Sequence, residues 1–373
     1  MDFTFSPDTE MLRDMLRRFV QKEARPLEMK YFTAGELAPE EQTRLRQAVQ
    51  QMGLWGLMAP EEYGGGIDLV TACVIEEELG GTFVPVDIGE VSPLLYACQG
   101  DQVARYLKPA LEASRRAIIA AREPEPYGLR PENWATRAMP EGERFVLSGK
   151  KILTVRPNPE DFFIVIANAP EGPTCFLLDM GASGTSIIQN GGTILSLEGC
   201  HLTSEAVLGE PGGALRLNGV NAARAWITTG ARYVGIAERL LELGAEHARN
   251  WITLGAPLAF RPAIQRMISE QSVDVESSRW LVYHAAWLAD RGDEKALRAA
   301  AVQVRLATGE MLKRTVDRTT MVFNGPGSSP QIEPFTLVKS KVPFDALEMA
   351  LESARAAIAA DLLDLKNISI QVP

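Results

Sequence analysis

Apolar side chains recur every three or four residues near the start of the chain, which is the spacing of one face of an α-helix. The first helix is predicted to begin at Pro7. Its apolar face carries Met11, Leu12, Met15 and Phe19. A further helix is predicted around 45–52. Another is predicted over 68–81, and it ends at Gly80 and Gly81. Between them, the glycine- and proline-rich stretch 53–69 is too irregular for a helix. Residues 1–119 are therefore predicted to form a helical domain.

The pattern changes to short β-branched and aromatic runs after residue 119. The segment "RFVLSGKKILTV" (144–155) predicts two short strands about a Ser-Gly turn. The segment "DFFIVIANAPEGPTCFLLDM" (161–180) predicts two more strands, joined by a Pro-Glu-Gly turn. An antiparallel β domain or small barrel is therefore predicted over 120–214.

Helical spacing returns for the rest of the chain, residues 215–373. The first helix of this part carries a stripe of small and apolar residues at alternating spacings of four and three. The stripe consists of Ala223, Ile227, Gly230, Val234, Ala237, Leu241, Gly244 and Ala248. A later helix is predicted to start at the capping residue Asp293 and to end before "FNGPGSSP" (323–330), and a final helix follows. The fold class is thus mainly α with a central β domain and a C-terminal four-helix bundle.

Composition narrows the function classes. The 373 residues are 46% hydrophobic and 23% charged, with a formal net charge of −10. A nucleic-acid binder needs a basic face, so this balance disfavours that class. The chain shows no apolar run of about 20 residues that could span a bilayer. Four widely spaced cysteines and an amphipathic start without signal-peptide character predict a reduced, cytoplasmic setting.

Three segments carry a resemblance to one family. "GLWGLMAPEEYGGGIDLVTACVIEEELG" is similar to the Gly-Leu-x-Gly-Leu, Pro-Glu-x-x-Gly-Gly-x-Gly and Glu-Glu-Leu-Gly run of the acyl-CoA dehydrogenases. "GERFVLSGKKILTV" resembles their strand-turn-strand before a flavin-contacting segment, and "EGCHLTSEAVLGEPGGAL" resembles the exit from their β domain. The resemblance covers nearly the whole chain. It implies an N-terminal helical domain, a β domain and a C-terminal helical bundle.

The resemblance also implies a reaction. In this family a glutamate takes the α proton of an acyl-CoA thioester, and FAD takes the β hydrogen as hydride. The motif Thr-Glu-Pro that contacts the flavin ring corresponds here to "AREPEP", with Arg122 in the threonine position. The Trp-x-Thr beside the flavin corresponds to "ILT", so that Thr154 is matched and the aromatic residue is Ile152. For both positions a structural role remains the alternative.

The motif Arg-x-x-Phe-Gly departs most from the family pattern. In the family it gives an arginine, from a neighbouring subunit, to the FAD pyrophosphate. Here it reads "WITLG", with Trp251 and Leu254 in place of the arginine and phenylalanine, and only Gly255 matched. A charge-assisted hydrogen bond contributes about 1.5–3 kcal/mol, so its absence is expected to weaken FAD binding about 10- to 100-fold. The indole is expected to occupy the space of the pyrophosphate and its arginine.

The remaining two motifs also differ. The family's Gln-x-x-Gly-Gly corresponds to "MVFNGPG", with Asn324 for the first glycine and Gly325 matched. The Glu-Gly-Thr turn that carries the catalytic base in one group of the family does not occur. Counting from Gly327 without gaps gives Glu348 as the candidate base, on a helix where a solvated glutamate is the alternative. His201 beside Cys200 has no second pair nearby, so no metal site is predicted.

Two functional hypotheses follow. The first is an FAD-dependent acyl-CoA dehydrogenase of fatty acid or steroid side-chain oxidation, with weak or unusual cofactor contacts. The second is a non-catalytic subunit that completes the active site of a catalytic partner chain, as in heteromeric members of the family. In both, the chain acts in a homo- or hetero-oligomer, expected to be a tetramer in which the 223–248 stripe packs across subunits. Packing of this stripe inside one chain is the alternative. The acyl chain is left open.

Overall fold

The computed structural model describes residues 4–89, 91–124, 134–142, 144–153, 155–189, 192–323, 338, 342 and 344–364, without the side chains of 218–220, 344–346 and 348–350. The chain divides into two compact units. We call Met1–Leu54, Gly66–Ile88 and Ala223–Val372 the helical unit. Trp55–Gly65 and Gly89–Ala222 form the sheet unit. Each is described by itself.

The helices begin where capping residues occur in the sequence. Ser6, Asp68 and Asp293 each accept a hydrogen bond from a backbone N–H three residues ahead, which satisfies a donor that the first turn leaves free. The predicted starts at Pro7 and after Asp293 are confirmed. The helices are α1 (Pro7–Phe19), α2 (Glu28–Ala34), α3 (Pro39–Gln51), α4 (Leu69–Gly80), α5 (Lys108–Leu111), α6 (Ala214–Asn250), α7 (Pro262–Asp290), α8 (Glu294–Val322) and α9 (Phe344–Leu362). No helix among the described residues combines the length and apolarity needed to cross a membrane.

Helices α4 and α6 approach each other through two glycines. A Cβ atom on Gly235 would lie 1.9 Å from the carbonyl oxygen of Glu77, and one on Gly80 would lie 2.4 Å from that of Arg232. The backbones can come this close only because neither position has a side chain. The glycines of the small-residue stripe thus serve packing within the chain.

The rest of the stripe is also covered by the chain itself. A Cβ atom on Gly230 would lie 2.6 Å from Val304, and one on Gly244 would lie 3.6 Å from Thr319, both on α8. All stripe residues are buried except Leu241, which is half-buried. The predicted packing of this stripe across subunits is therefore wrong, because helices of the same chain already fill the space against it.

Buried ion pairs join α2 and α4 to the bundle helices. The carboxylate of Glu76, on α4, pairs with Arg232 on α6. Glu77 accepts hydrogen bonds from Arg279 Nε (2.8 Å) and the Tyr283 hydroxyl (2.9 Å), both on α7. A buried carboxylate requires such partners, since leaving it unpaired costs several kcal/mol. Glu28 on α2 is paired in the same way with Arg239, at 3.0 Å.

The sheet unit is built around one eight-stranded sheet. Its strands are β1 (Ala117–Ala120), β2 (Arg137–Glu141), β3 (Arg144–Leu153), β4 (Phe162–Ala169), β5 (Gly172–Asp179), β6 (Thr185–Gln189), β7 (Thr193–Thr203) and β8 (Val207–Leu208). Their order is β6-β7-β3-β2-β4-β5-β8, and β1 pairs with β4. Strand β4 is buried on both faces. Its consecutive residues Phe162 and Phe163 point to opposite faces of the sheet and belong to two different hydrophobic clusters.

Two expectations for this domain need correction. The β1–β4 pair and the β2–β4 bridge are parallel, so the sheet is mixed rather than antiparallel throughout. The segment expected to form two strands about Ser148 and Gly149 is one strand, β3, which pairs with β7 along its whole length through a bulge. Gly149 is needed for close approach: a Cβ there would lie 2.4 Å from Thr136 Oγ1. The predicted hairpin of β4 and β5 is confirmed.

Candidate functional site

The segment corresponding to the flavin-ring contact is fixed by a buried ion pair. Glu123 is 1% exposed, and its carboxylate accepts hydrogen bonds from the backbone N–H groups of Ala135 (2.6 Å) and Thr136 (3.0 Å). Lys151, on β3, is fully buried and donates from Nζ to Glu123 Oε1 at 2.9 Å. The same ammonium group donates to the carbonyl of Ala121 at 3.0 Å. Residues 121–123 are thereby held at both ends.

The surroundings shift the pKa of both partners. Burial lowers the pKa of Lys151 to about 8, although Glu123 acts in the opposite direction. Burial also acts to raise the pKa of Glu123, but its hydrogen bonds with Thr136 and the charge of Lys151 outweigh this and lower it. The ammonium lies 4.3 Å from the ring centroid of Trp134, a cation–π contact that compensates part of its lost hydration. Glu123 is therefore ionised beside a cation at neutral pH.

Arg122 lies between these anchored residues. Its backbone carbonyl accepts a hydrogen bond from the N–H of Ile152 at 2.8 Å, which joins the segment to β3. Its side chain is half-buried, and Nε is buried without a hydrogen-bond partner. A buried N–H of a guanidinium without an acceptor is costly, so this position suits a bound group that can accept the bond. Thr154, predicted beside it, lies outside the described residues.

The segment of Trp251, Leu254 and Gly255 forms a small hairpin after α6. Strands β9 (Ile252–Thr253) and β10 (Ala256–Pro257) pair in antiparallel fashion. Leu254 and Gly255 form the turn, both with positive φ (50° and 78°), which explains the glycine. Leu254 is 91% exposed at the tip. No lysine or arginine occurs from 251 to 258, and the nearby Arg261 donates to the carbonyl of Thr253 at 2.9 Å.

Trp251 belongs to a stack of three aromatic rings. The imidazole of His247 lies between the indole of Trp251 (centroids 5.3 Å apart) and the ring of Phe323 (4.2 Å), with nearly parallel planes. Nε2 of His247 is buried without a hydrogen-bond partner, and burial lowers the pKa of this side chain. Trp251 is 46% exposed and packs on its own helix end. The expected filling of a pyrophosphate space by this indole stays a prediction.

The last three predicted site residues can be placed only in part. Phe323 caps α8, and Asn324 and Gly325, which follow it, lie outside the described residues. Glu348 lies on α9, as expected for a helical position, but its side chain is not among those described. The predicted residues therefore fall into two groups, Arg122 in the sheet unit and the 251–255 hairpin in the helical unit.

Lys151 is a residue of this site that is not among the predicted ones. The alternation along β3 contains the signal, since Leu147, Lys151 and Leu153 share one buried face while Lys150 is exposed. A lysine at an inward position of a strand predicts a buried acidic partner. Cys200 and His201 do not form a metal site: Cys200 is buried, and His201 Nδ1 lies 3.3 Å from Glu141. No group of metal-ligating side chains occurs among the described residues.

Comparison with known proteins gives consistent results. Residues 6–113 match the model of the acyl-CoA dehydrogenase N-terminal domain, and residues 215–342 match that of the C-terminal domain. The chain is 30% identical to (R)-benzylsuccinyl-CoA dehydrogenase of Thauera aromatica, over 97% of both chains. A putative acyl-CoA dehydrogenase of Mycobacterium abscessus has the same fold, with a TM-score of 0.90 at 22% identity, covering 98% of this chain and 100% of that one.

A second structure shares the fold and contains a ligand. The glutaryl-CoA dehydrogenase–glutaryl-CoA complex superposes with a TM-score of 0.81 at 22% identity and covers 98% of this chain and 97% of that one. At this level of identity, the similarity to both structures establishes the fold alone.

Proposed function

Because the chain belongs to the acyl-CoA dehydrogenase family, we propose that it serves the FAD-dependent α,β-dehydrogenation of an acyl-CoA thioester, with weakened FAD contacts of its own. Dehydrogenation of acyl-CoA is the activity of the family. The observation that carries the proposal for this chain is the anchored segment 121–123, which keeps a rigid backbone and one unpaired buried donor at the position of the family's flavin-ring contact.

The residues fit one end of FAD and not the other. The Arg122 guanidinium has an orphaned N–H that a carbonyl oxygen or ring nitrogen of a bound flavin would satisfy. The hairpin, in contrast, has an exposed Leu254 at its tip and no cation from 251 to 258 with which to bind a pyrophosphate. Phosphate recognition in proteins relies on arginine, lysine or backbone N–H groups. FAD affinity is therefore expected to be low but not absent.

The chain's own chemical part is removal of the α proton. Glu348, which lies on α9, is the proposed base. The chemistry that FAD supplies when bound is acceptance of the β hydrogen as hydride. The benzylsuccinyl group in the name of the relative with 30% identity carries a second carboxylate, and an acyl group of this dicarboxylic class is the proposed substrate. The proposed setting is a cytoplasmic homo- or hetero-oligomer, with a tetramer as the expected size.

A second candidate function is a non-catalytic subunit that completes a catalytic partner. The hairpin favours it, since Trp251, Ile252, Leu254 and Phe260 are 46%, 60%, 91% and 71% exposed. Apolar side chains concentrated on one short segment are typical of contact with another chain. Such a subunit could bind its partner through the hairpin without binding pyrophosphate.

One experiment separates the two. The full chain is purified, its bound flavin is measured by absorption, and FAD is titrated while turnover of glutaryl-CoA is followed with an artificial electron acceptor. Flavin that binds weakly but supports turnover agrees with the proposed function. A chain that binds no FAD, and acquires neither flavin nor turnover without a co-purified second protein, supports the non-catalytic subunit. Tight, stoichiometric FAD binding would show that the hairpin is not needed for affinity, and would refute the weakened contacts.

A further inference from the structure

The guanidinium of Arg305 has no counter-ion among the residues that the structure describes. Arg305 lies on α8, and its Cζ is 4.3 Å from the ring centroid of Trp226 on α6. Its Nη1 is buried and has no hydrogen-bond partner. Within the described part of the chain, no carboxylate lies at ion-pair distance from this side chain. The other arginines of α8 are paired: Arg298 with Glu294, and Arg314 and Arg318 with Asp274.

The charge of Arg305 persists at neutral pH. Burial lowers its pKa to about 10, which leaves the guanidinium protonated under ordinary conditions. Tyr233 is an ionisable neighbour of Arg305, but burial raises the pKa of Tyr233, so that its phenol is neutral and cannot balance the charge. A cation partly removed from water without an anion is unfavourable, and any anion that reaches it is therefore bound favourably.

The geometry specifies what kind of anion fits. The indole of Trp226 covers one face of the guanidinium, so the free donors lie in the plane of the group, along its edge. A planar carboxylate accepts two parallel hydrogen bonds from such an edge. Trp226, Tyr233 and Arg305 are all half-buried, so part of each side chain is open to solvent although Nη1 itself is buried.

We propose that Arg305, supported by Trp226, binds the free carboxylate of a dicarboxylic acyl-CoA. This inference rests on the proposed function, because it takes the ligand to be the acyl group of a CoA thioester. It assigns a specificity role to Arg305: the residue distinguishes an acyl chain that ends in a carboxylate from one of equal length that ends in a methyl group. The reacting carbons do not contact it, so that it positions the substrate rather than taking part in the reaction.

The test compares two CoA thioesters, glutaryl-CoA and valeryl-CoA, whose acyl groups have the same length and differ only at the far end, which is a carboxylate in the first and a methyl group in the second. Their affinities are measured by isothermal titration calorimetry with the full chain, in the state in which it is purified. Arg305→Met is expected to weaken glutaryl-CoA binding about 10- to 100-fold, the effect of losing a charge-assisted pair, and to leave valeryl-CoA unchanged. Arg305→Lys should restore part of the affinity for glutaryl-CoA. Arg298→Met, an exposed arginine on the same helix, is the matched control and should change neither.

The outcomes that overturn the proposal are distinct. Equal weakening of both esters by Arg305→Met, or no effect on either, would refute the carboxylate site while leaving the proposed function in place. Failure of the wild-type chain to bind any CoA ester would refute the proposed function, and the proposal with it. The urea unfolding midpoint of Arg305→Met should fall only slightly, because the change removes the cation–π contact with Trp226 and no ion pair among the described residues. A clear fall would reveal an acidic partner inside the chain and overturn the inference.

Discussion

Lys151→Met should destabilise the sheet unit far more than the same change at the neighbouring lysine. In the wild type, the Glu123 carboxylate is held by two backbone N–H groups and by Lys151 Nζ at 2.9 Å, with both side chains at 1% exposure or less. Removal of one partner from a buried pair costs about 3–5 kcal/mol, because the other charge stays buried. The two backbone donors remain with Glu123, so we expect about 3 kcal/mol, the lower end.

The assay is urea unfolding followed by circular dichroism and tryptophan fluorescence. Trp134 contacts the lysine ammonium and lies in the same unit, so its emission reports this region. Two compact units can unfold in separate steps, and the change should affect only the transition of the sheet unit. Lys150→Met is the matched control, since Lys150 is the adjacent residue of β3 and is exposed.

A double variant completes the test. Lys151→Met combined with Glu123→Gln removes both charges, and the combined loss should be smaller than the sum of the single losses by at least about 1 kcal/mol. The reasoning is refuted if Lys151→Met and Lys150→Met differ by less than about 0.5 kcal/mol, or if the single losses simply add.

Three further outcomes are expected. Trp251→Arg with Leu254→Phe should raise FAD affinity about 10-fold or more in a fluorescence titration, because it restores a cation at an exposed hairpin; unchanged affinity would contradict the role assigned to that segment. Gly235→Ala should lower the free energy of unfolding by about 1–3 kcal/mol, since its Cβ would lie 1.9 Å from a carbonyl oxygen of α4, whereas Gly192→Ala, with open space around it, should change little. The pKa of Glu123 is lowered by its hydrogen bonds and the nearby cation despite burial. The ionised carboxylate therefore stabilises the fold at every pH above the pKa of Glu123 in the unfolded chain, and this stabilisation is lost as the pH falls through the pKa of Glu123 in the folded chain. Glu123→Gln should therefore lose less stability than the wild type between neutral pH and about pH 3, as followed by the urea midpoint.

The helices could be predicted from sequence because their signals are local. Ser6, Asp68 and Asp293 each cap a helix through a backbone N–H only three residues away, and the apolar spacing that follows depends on the helix alone. The β4–β5 hairpin was predictable for the same reason, since its turn lies between the strands that it joins. Elements whose capping residues and turns lie within a few residues of them can be predicted from a single sequence.

Features that depend on distant partners were not predictable. Lys151 and Glu123 are 28 residues apart, and neither local sequence indicates that the two side chains form a pair. Glycine suits both a turn and the close approach of another strand, so the sequence alone does not distinguish the two at Gly149; the close approach to Thr136 does. The 223–248 stripe fits packing within a chain as well as packing between chains, and the spacing alone cannot distinguish these cases.

The order of folding on the ribosome follows from the pairs that hold the helical unit together. The partner of Glu76, Arg232, follows it by 156 residues in the chain, and the partner of Glu28, Arg239, follows it by 211 residues. The larger part of the sheet unit, Gly89–Ala222, is synthesised between the members of both pairs. Protein synthesis proceeds at about 5–20 residues per second, so roughly ten to thirty seconds pass between the synthesis of α4 and that of its partner Arg232. During this time the carboxylate of Glu76 is unpaired and the apolar face of α4 is not yet covered by α6. The first helices of this chain are thus complete long before the helices that cover them.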